Sequence, residues 1–262
     1  MNFTHTFSEC PNSVGRVTFK VCRTITWRAL MDADAVLARL RAMANPKNVE
    51  GMARFGINPK DTLGISVWDL RKLAKEIGRD HRLALAVWDS GIHEARLLAA
   101  FVDEPAKVTA AQMDAWVRDF DSWDVCDQAC TDLFDQTRFA PAKAVAWSRR
   151  PEEFVKRGGF ALMAGIAWHD KDAKDAAFAP SLEAIRREAT DDRNYVKKAV
   201  SWALRNIGKR NLALNRKAIA TARAIQKIDS KAARWIASDA LRKLTGEAVQ
   251  KRLREKRPRR EL

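Results

Sequence analysis

The chain has 262 residues, 47% of them hydrophobic and 31% charged. That much apolar material builds a core of domain size, which excludes a disordered, collagen-like or small disulfide-stapled chain. The net charge of +15 sits at one end: residues 193–262 carry 21 basic and 5 acidic side chains, whereas residues 1–192 carry 27 and 28. So localised a cationic field points to a polyanion such as nucleic acid. The longest apolar run, Phe160 to Trp168, has nine residues, against the ~20 a membrane-spanning helix needs.

Residues 1–30 lack both an apolar signal core and helical periodicity. They are expected to form an extra, poorly ordered N-terminal segment. From Met31 to Gly246 the pattern is one of amphipathic helices with short breaks, expected near 34–44, 49–55, 66–78, 82–89, 92–102, 109–120, 122–134, 141–148, 151–168, 172–189, 193–208, 211–227 and 230–244. Ser66 with Asp69, and Thr109 with Gln112, are placed to cap two of them, and Asp121 or Ser122 a third. Residues 247–262 form a basic C-terminal tail that opens with a last short helix. Eleven Gly and eight Pro leave little turn material, and no alternating β-branched stretch reads as a strand. The expected fold is all-α: an α-solenoid of HEAT-like helical repeats with a concave DNA-binding face, the alternative being an irregular helical bundle. Trp68-Asp69, Trp88-Asp89 and Trp123-Asp124 give only a faint internal echo.

The four cysteines make no framework. Cys10 and Cys22 lie in the N-terminal segment, while Cys126 and Cys130 stand one helical turn apart on an apolar stripe. No Cys/His spacing fits zinc. They read as reduced cysteines of a cytoplasmic protein.

Three segments can carry chemistry. In 193–208, Val196, Ala199, Val200, Ala203 and Ile207 form the apolar stripe. Trp202 falls on the opposite side, among Lys198, Arg205 and Lys209, as a surface for a polyanion or as packing under another helix. In the helix opening at Ser122, Trp123 and Asp127 share a face beside the Cys126, Ala129, Cys130 and Leu133 stripe. This sets an aromatic plane by a carboxylate within a segment, 101–135, of nine acidic and two basic residues. The bland reading of that segment is a solvated acidic face. The third is Lys156-Arg157-Gly158-Gly159, where glycines permit close backbone approach and Arg157 can clamp a phosphate or pair with an acidic side chain of the same protein.

These residues carry a resemblance. MARF (52–55), LGI (63–65), WDSGIHEARLLAA (88–100), SWDVCD (122–127), VKRGGFAL (155–162) and YVKKAVSWALRNIGK (195–209) occur in the order seen in the AlkD-type DNA alkylation repair proteins. These are HEAT-like-repeat glycosylases that excise N3- and N7-alkylated purines. The resemblance covers about Met31 to Gly246. It implies that Trp123 and Trp202 are the site aromatics, Asp127 the catalytic carboxylate, Arg157 the site arginine, and Arg205 a basic group nearby. Lys198, Lys209 and Phe55 are expected to contact DNA; Phe55 stands where the family often has a tyrosine, so a polar contact is lost there. The partner implied is duplex DNA containing alkylated purines, bound by a monomer without metal or organic cofactor. An alkylated purine is already a cationic leaving group, so no strong general acid is needed. Asp127 would face the oxocarbenium-like sugar and orient water, the indoles would pack on the sugar edges, and Arg157 would hold a phosphate. No lysine at these positions offers a Schiff base, so hydrolysis without strand cleavage is expected. The competing reading is a non-catalytic helical-repeat protein that binds damaged or branched DNA.

Overall fold

The computed structural model describes residues 32–255. The expected loose N-terminal segment, with Cys10 and Cys22, and the tail beyond 255 lie outside the described residues. Those residues form fourteen α-helices and three 3₁₀ turns, with no strand among them. The helices are α1 (Ala33–Ala42), α2 (Pro46–Arg54), α3 (Val67–Ile77), α4 (His81–Trp88), α5 (His93–Val102), α6 (Ala110–Trp116), α7 (Trp123–Asp132), α8 (Ala140–Trp147), α9 (Glu153–His169), α10 (Ala179–Arg187), α11 (Asn194–Gly208), α12 (Leu212–Gln226), α13 (Lys231–Leu244) and α14 (Glu247–Glu255).

The expected solenoid is the architecture observed. Helices α3, α5, α7, α9, α11 and α13 pack side by side in one layer. Helices α4, α8, α10 and α12 back it, and each of α4, α8, α10 and α12 touches its successor in chain order. Apolar stripes explain the packing: Val196, Ala199, Val200, Ala203 and Ile207 of α11 are fully buried, as are Cys126, Ala129, Cys130 and Leu133 around α7. Short polar signals set the starts. Ser66, Thr109, Asn211 and Ser230 accept from the backbone N–H three residues on, which satisfies donors that a helix leaves open.

Two expected helices are shorter than their periodicity suggested. The 109–120 pattern stops at Trp116 and tightens into a 3₁₀ turn, Val117–Asp119. The 172–189 pattern begins as a 3₁₀ turn, Asp175–Phe178, and α10 starts only where Pro180 can occupy a first-turn position. The Trp-Asp echo does not mark equivalent sites. Trp68 is an exposed residue in the first turn of α3, whereas Trp88 ends α4 and stacks on Trp116 at 3.9 Å between ring centres.

The acidic stretch 101–135 is only in part a solvated face: Asp119 and Asp121 are exposed, whereas Asp103, Asp124 and Asp135 are buried. Each of its nine carboxylates accepts a hydrogen bond from another part of the chain. Asp103 takes one from His81 and one from Gln112, and Glu104 one from the His81 backbone. Asp114 accepts from Lys143 and the Trp147 indole, and Asp119 from the Trp88 indole. Asp121 binds Asn58, Asp124 binds His93, Asp127 binds Arg157, Asp132 binds Arg71 and Asp135 binds His169. The local negative charge staples neighbouring helices together.

Glycine placement yields a paired prediction. A Cβ on Gly159 would meet backbone atoms of α8, Ser148 N at 2.5 Å and Ala144 O at 2.8 Å, so this glycine sets the α8–α9 approach. Gly51 in α2 has nothing within 4 Å. In urea unfolding, Gly159→Ala is expected to lose about 1–3 kcal/mol through overpacking, and Gly51→Ala to gain about 0.5–1 kcal/mol by helix propensity. A second prediction concerns pH. Burial pushes the Asp135 carboxyl from 3.8 up to about 6, with the His169 imidazole opposing. The folded state therefore keeps a proton that the unfolded chain releases, so this contribution to stability is full below 3.8 and is lost as pH rises to about 6. Asp135→Asn is expected to flatten the unfolding midpoint over that window.

Candidate active site on three neighbouring helices

Helices α7, α9 and α11 are consecutive in the same layer, and each supplies one member of a buried polar junction. Asp127, one turn beyond Trp123 on α7, accepts a two-pronged hydrogen bond from Arg157 of α9: Nε to Oδ1 at 2.9 Å and Nη2 to Oδ2 at 2.7 Å. The third guanidinium nitrogen, Nη1, donates to the backbone carbonyl of Tyr195 at the start of α11, at 2.7 Å. The side chains are 7% exposed for Arg157 and 14% for Asp127. Burial pushes the Asp127 carboxyl above its ordinary range and Arg157 pulls against it, with Asp124 adding to the upward push. The parallel fork is the geometry of an ionised pair, and we assign Asp127 as the carboxylate within it.

This geometry decides an alternative left open by the sequence. Arg157 is the intramolecular partner of a carboxylate, and its guanidinium is spent on Asp127 and Tyr195, so it is not a free phosphate clamp. The glycines after it serve packing, since both Gly158 and Gly159 are buried against α7, α8 and the turn at Val117.

Trp123 is half-buried, and its indole N–H donates to the carbonyl of Phe55 at 3.0 Å. The next residue, Gly56, takes the Tyr195 hydroxyl on its carbonyl at 3.4 Å. The turn after α2 thus touches both flanks of the junction, α7 and α11. Gly56 has φ +78°, and a Cβ there would lie 1.7 Å from the Tyr195 hydroxyl oxygen; only glycine fits. The Phe55 ring itself is 76% exposed, next to this bridge.

Tyr195 is the residue that the site reasoning passed over. It is the chain's single tyrosine, and the signal was available: stepping back seven residues from Trp202 along the stripe Lys209, Arg205, Trp202, Lys198 lands on it. In the structure Lys198 is exposed, while Trp202, Arg205 and Lys209 are partly buried. Trp202 packs in part on the core and stands two turns from Tyr195, about 10 Å along the helix. Trp123, Asp127 and Arg157 are joined directly or through one turn of helix, whereas Trp202 is joined to them only through α11.

The start of α7 also differs from expectation. Ser122 is its cap position, but its hydroxyl accepts the Asn58 N–H at 3.0 Å, and Asp121 accepts the Asn58 amide at 2.8 Å. Both side chains hold the 58–65 loop and leave the helix end to His93, which pairs with Asp124 at 2.9 Å. Burial opposes a charge on His93, but Asp124, Glu94 and Asp121 together raise its pKa. The adjacent Glu94, fully buried, accepts the backbone N–H groups of Leu63, Gly64 and Ile65 at 2.8, 2.6 and 3.1 Å. The His-Glu pair opening the apolar helix α5 thereby fixes both the loop and the turn that bears Trp123.

The sequence pattern of a family described as DNA alkylation repair enzyme matches residues 36–244. The chain belongs to that family. Among solved structures, one described as a new family of proteins related to the HEAT-like repeat DNA glycosylases with affinity for branched DNA structures superposes with a TM-score of 0.66 at 19% identity, covering 82% of this chain and 96% of that one. At that identity the likeness establishes the helical-repeat fold that the family shares. A designed armadillo repeat protein in complex with a (KR)4 peptide aligns with a TM-score of 0.34 at 15% identity, over 71% of this chain and 79% of that one. No curated protein matches the sequence.

The junction predicts its own energetics. Arg157→Leu leaves a buried carboxylate without its cation and is expected to cost about 3–5 kcal/mol in denaturant unfolding. Asp127→Asn leaves the Arg157 charge buried without its carboxylate and turns an amide NH2 toward one prong of the fork, and is expected to cost a similar amount. A loss below about 1 kcal/mol in both variants would contradict the ion-pair assignment.

Proposed function

We propose that this member of the family is a monofunctional DNA glycosylase that hydrolyses the N-glycosidic bond of cationic N3- or N7-alkylated purines in duplex DNA. The observation that carries this reading is the Asp127 carboxylate, clamped by a bidentate arginine from the neighbouring helix and one turn from the Trp123 indole. A fixed carboxylate is suited to the positive charge that builds on a deoxyribose as its purine leaves, and to orienting the attacking water. Arg157 acts as the positioning group that sets the carboxylate plane. Trp123 and Trp202 supply apolar, electron-rich faces for the sugar. The lesion already carries the charge that a general acid would otherwise provide.

The test is release of 7-methylguanine or 3-methyladenine from alkylated duplex, wild type beside Asp127→Asn. The variant is expected to retain DNA affinity and to lose about a hundred- to a thousandfold in excision rate. Because burial raises the Asp127 pKa, wild-type excision is expected to fall off on the acid side at a pH above that of an ordinary aspartate. Trp202→Ala is expected to weaken binding and excision together, by about tenfold; full activity in that variant would reduce Trp202 to packing.

A second reading is favoured by the structural relative described as having affinity for branched DNA. In it the Asp127–Arg157 pair serves stability, and the protein binds junctions without cleaving a glycosidic bond. Absence of base release by the wild type, with tighter binding to a four-way junction than to alkylated duplex, decides for it.

A further inference from the structure

Beyond Trp202, the stripe of α11 leads into a second polar cluster where α11 and α13 meet. Its centre is Asp239 of α13, 13% exposed. This carboxylate accepts from the Ser201 hydroxyl at 2.7 Å and lies 3.2 Å from Arg205 Nε. Arg242 and Lys243 approach its other oxygen at 2.9 and 3.4 Å. One negative charge thus faces three cations.

Lys209 makes the imbalance larger. It follows Arg205 by one turn, and among the described residues no carboxylate lies within ion-pair distance of its ammonium. Burial pushes its pKa below the usual value, and Arg205, Arg252 and Lys243 push it further, against Asp239 alone. Cations crowded around a single carboxylate are stabilised by an incoming anion, and partial burial strengthens that attraction relative to an open surface. The cluster is on the Tyr195–Trp202 stripe, so it faces the same way as the site. Along α11 it runs from Arg205, about 4.5 Å beyond Trp202, to Lys209, about 10 Å beyond it, the latter roughly three base-pair rises of DNA.

We propose that Lys209, Arg205, Lys243 and Arg252 form an anion site that grips a backbone phosphate of the bound DNA at a distance from the lesion. Asp239 and Ser201 hold the cations in place, and the phosphate completes the charge balance. The site anchors the duplex flanking the damaged nucleotide, a task that Arg157, closed on Asp127, does not perform. This assignment rests on the DNA-binding reading above.

The experiment is a fluorescence-polarisation titration of labelled duplex by the full chain over about 50 to 200 mM salt, comparing wild type, Lys209→Gln and the Lys243→Gln/Arg252→Gln double variant. Thermal melts confirm that these surface changes leave the fold intact. Each variant is expected to bind more weakly, with the slope of log K against log salt reduced by about 0.9, the signature of one lost phosphate contact. Duplexes with one neutral methylphosphonate stepped along each strand then locate the phosphate: the wild type loses affinity at that position and Lys209→Gln loses nothing further there. Unchanged slopes in both variants, or equal sensitivity of the variant at every position, overturn the site while leaving the DNA reading standing. A wild type without salt-dependent duplex binding overturns that reading itself. Capture of poly-glutamate that depends on Lys209, with duplex binding unaffected by its loss, overturns the phosphate assignment in favour of an acidic protein partner.

Discussion

The three-way bond made by the Arg157 guanidinium organises this molecule's candidate chemistry. Its planar fork fixes the Asp127 carboxylate on one side and the first turn of α11 on the other. Three helices that meet largely through alanines, valines and cysteines acquire a polar register there, to which the Asn206 amide of α11 adds a bond to the Ala164 carbonyl of α9. A buried arginine needs such partners, because N–H donors left unpaired are costly and its charge cannot be shed. Arg157 in α9 therefore dictates a carboxylate on α7 and a free carbonyl on α11. Lysine in its place would offer no planar fork and could not set the carboxylate's orientation.

Around that bond the chain builds outward with contacts of very long sequence separation. The turn at Phe55-Gly56 reaches Trp123 and Tyr195, which come from repeats far along the solenoid. A helical repeat protein ordinarily touches only its neighbours. Here the N-terminal end folds across the face of later repeats, and it does so through backbone carbonyls that leave the Phe55 ring uncommitted. The His93-Glu94 pair acts on the same end, holding the 63–65 backbone and the first turn of α7 together. An N-terminal segment with no buried residue in α2 is thus tied down by hydrogen bonds where apolar burial is missing.

Much of this was legible in the sequence, for a physical reason. Helices packed on two sides advertise themselves by a stripe of fixed period, so the core faces of α7 and α11 followed from spacing alone. The off-stripe position of Trp202 among cations was equally readable. What spacing does not contain is the partner across the groove between helices. Arg157 could be written as a phosphate clamp or as a carboxylate's partner, and nothing within α9 distinguishes the two. Ser122 has the chemistry of a helix cap, yet a loop 64 residues upstream competes for the same oxygen and wins. Tyr195 is marked on the stripe only by the residues after it, since it stands in the very first turn of its helix, and what it contributes, a backbone carbonyl, has no side-chain signature. Likewise, a run of nine acids reads as a solvated face until each side chain's acceptor role across the helix interface is seen.

That run bears on how a DNA-directed protein tolerates carboxylates near its binding face. Phosphates approaching a bare acidic patch would be repelled over roughly a Debye length. Here seven of the nine carboxylates from 101–135 are at least partly buried against other helices or loops, and Asp119 and Asp121 are exposed. Among the seven, Asp127 is offset by Arg157 at contact distance, so at long range the pair is nearly neutral. The field that DNA meets from afar is then set by the basic C-terminal quarter, as the charge distribution requires. At short range the two partners differ, because the carboxylate is the more exposed of the pair, 14% against 7% for the arginine. In the proposed reaction that asymmetry separates two demands that otherwise conflict: the polyanion is admitted, and the sugar cation is stabilised when it forms.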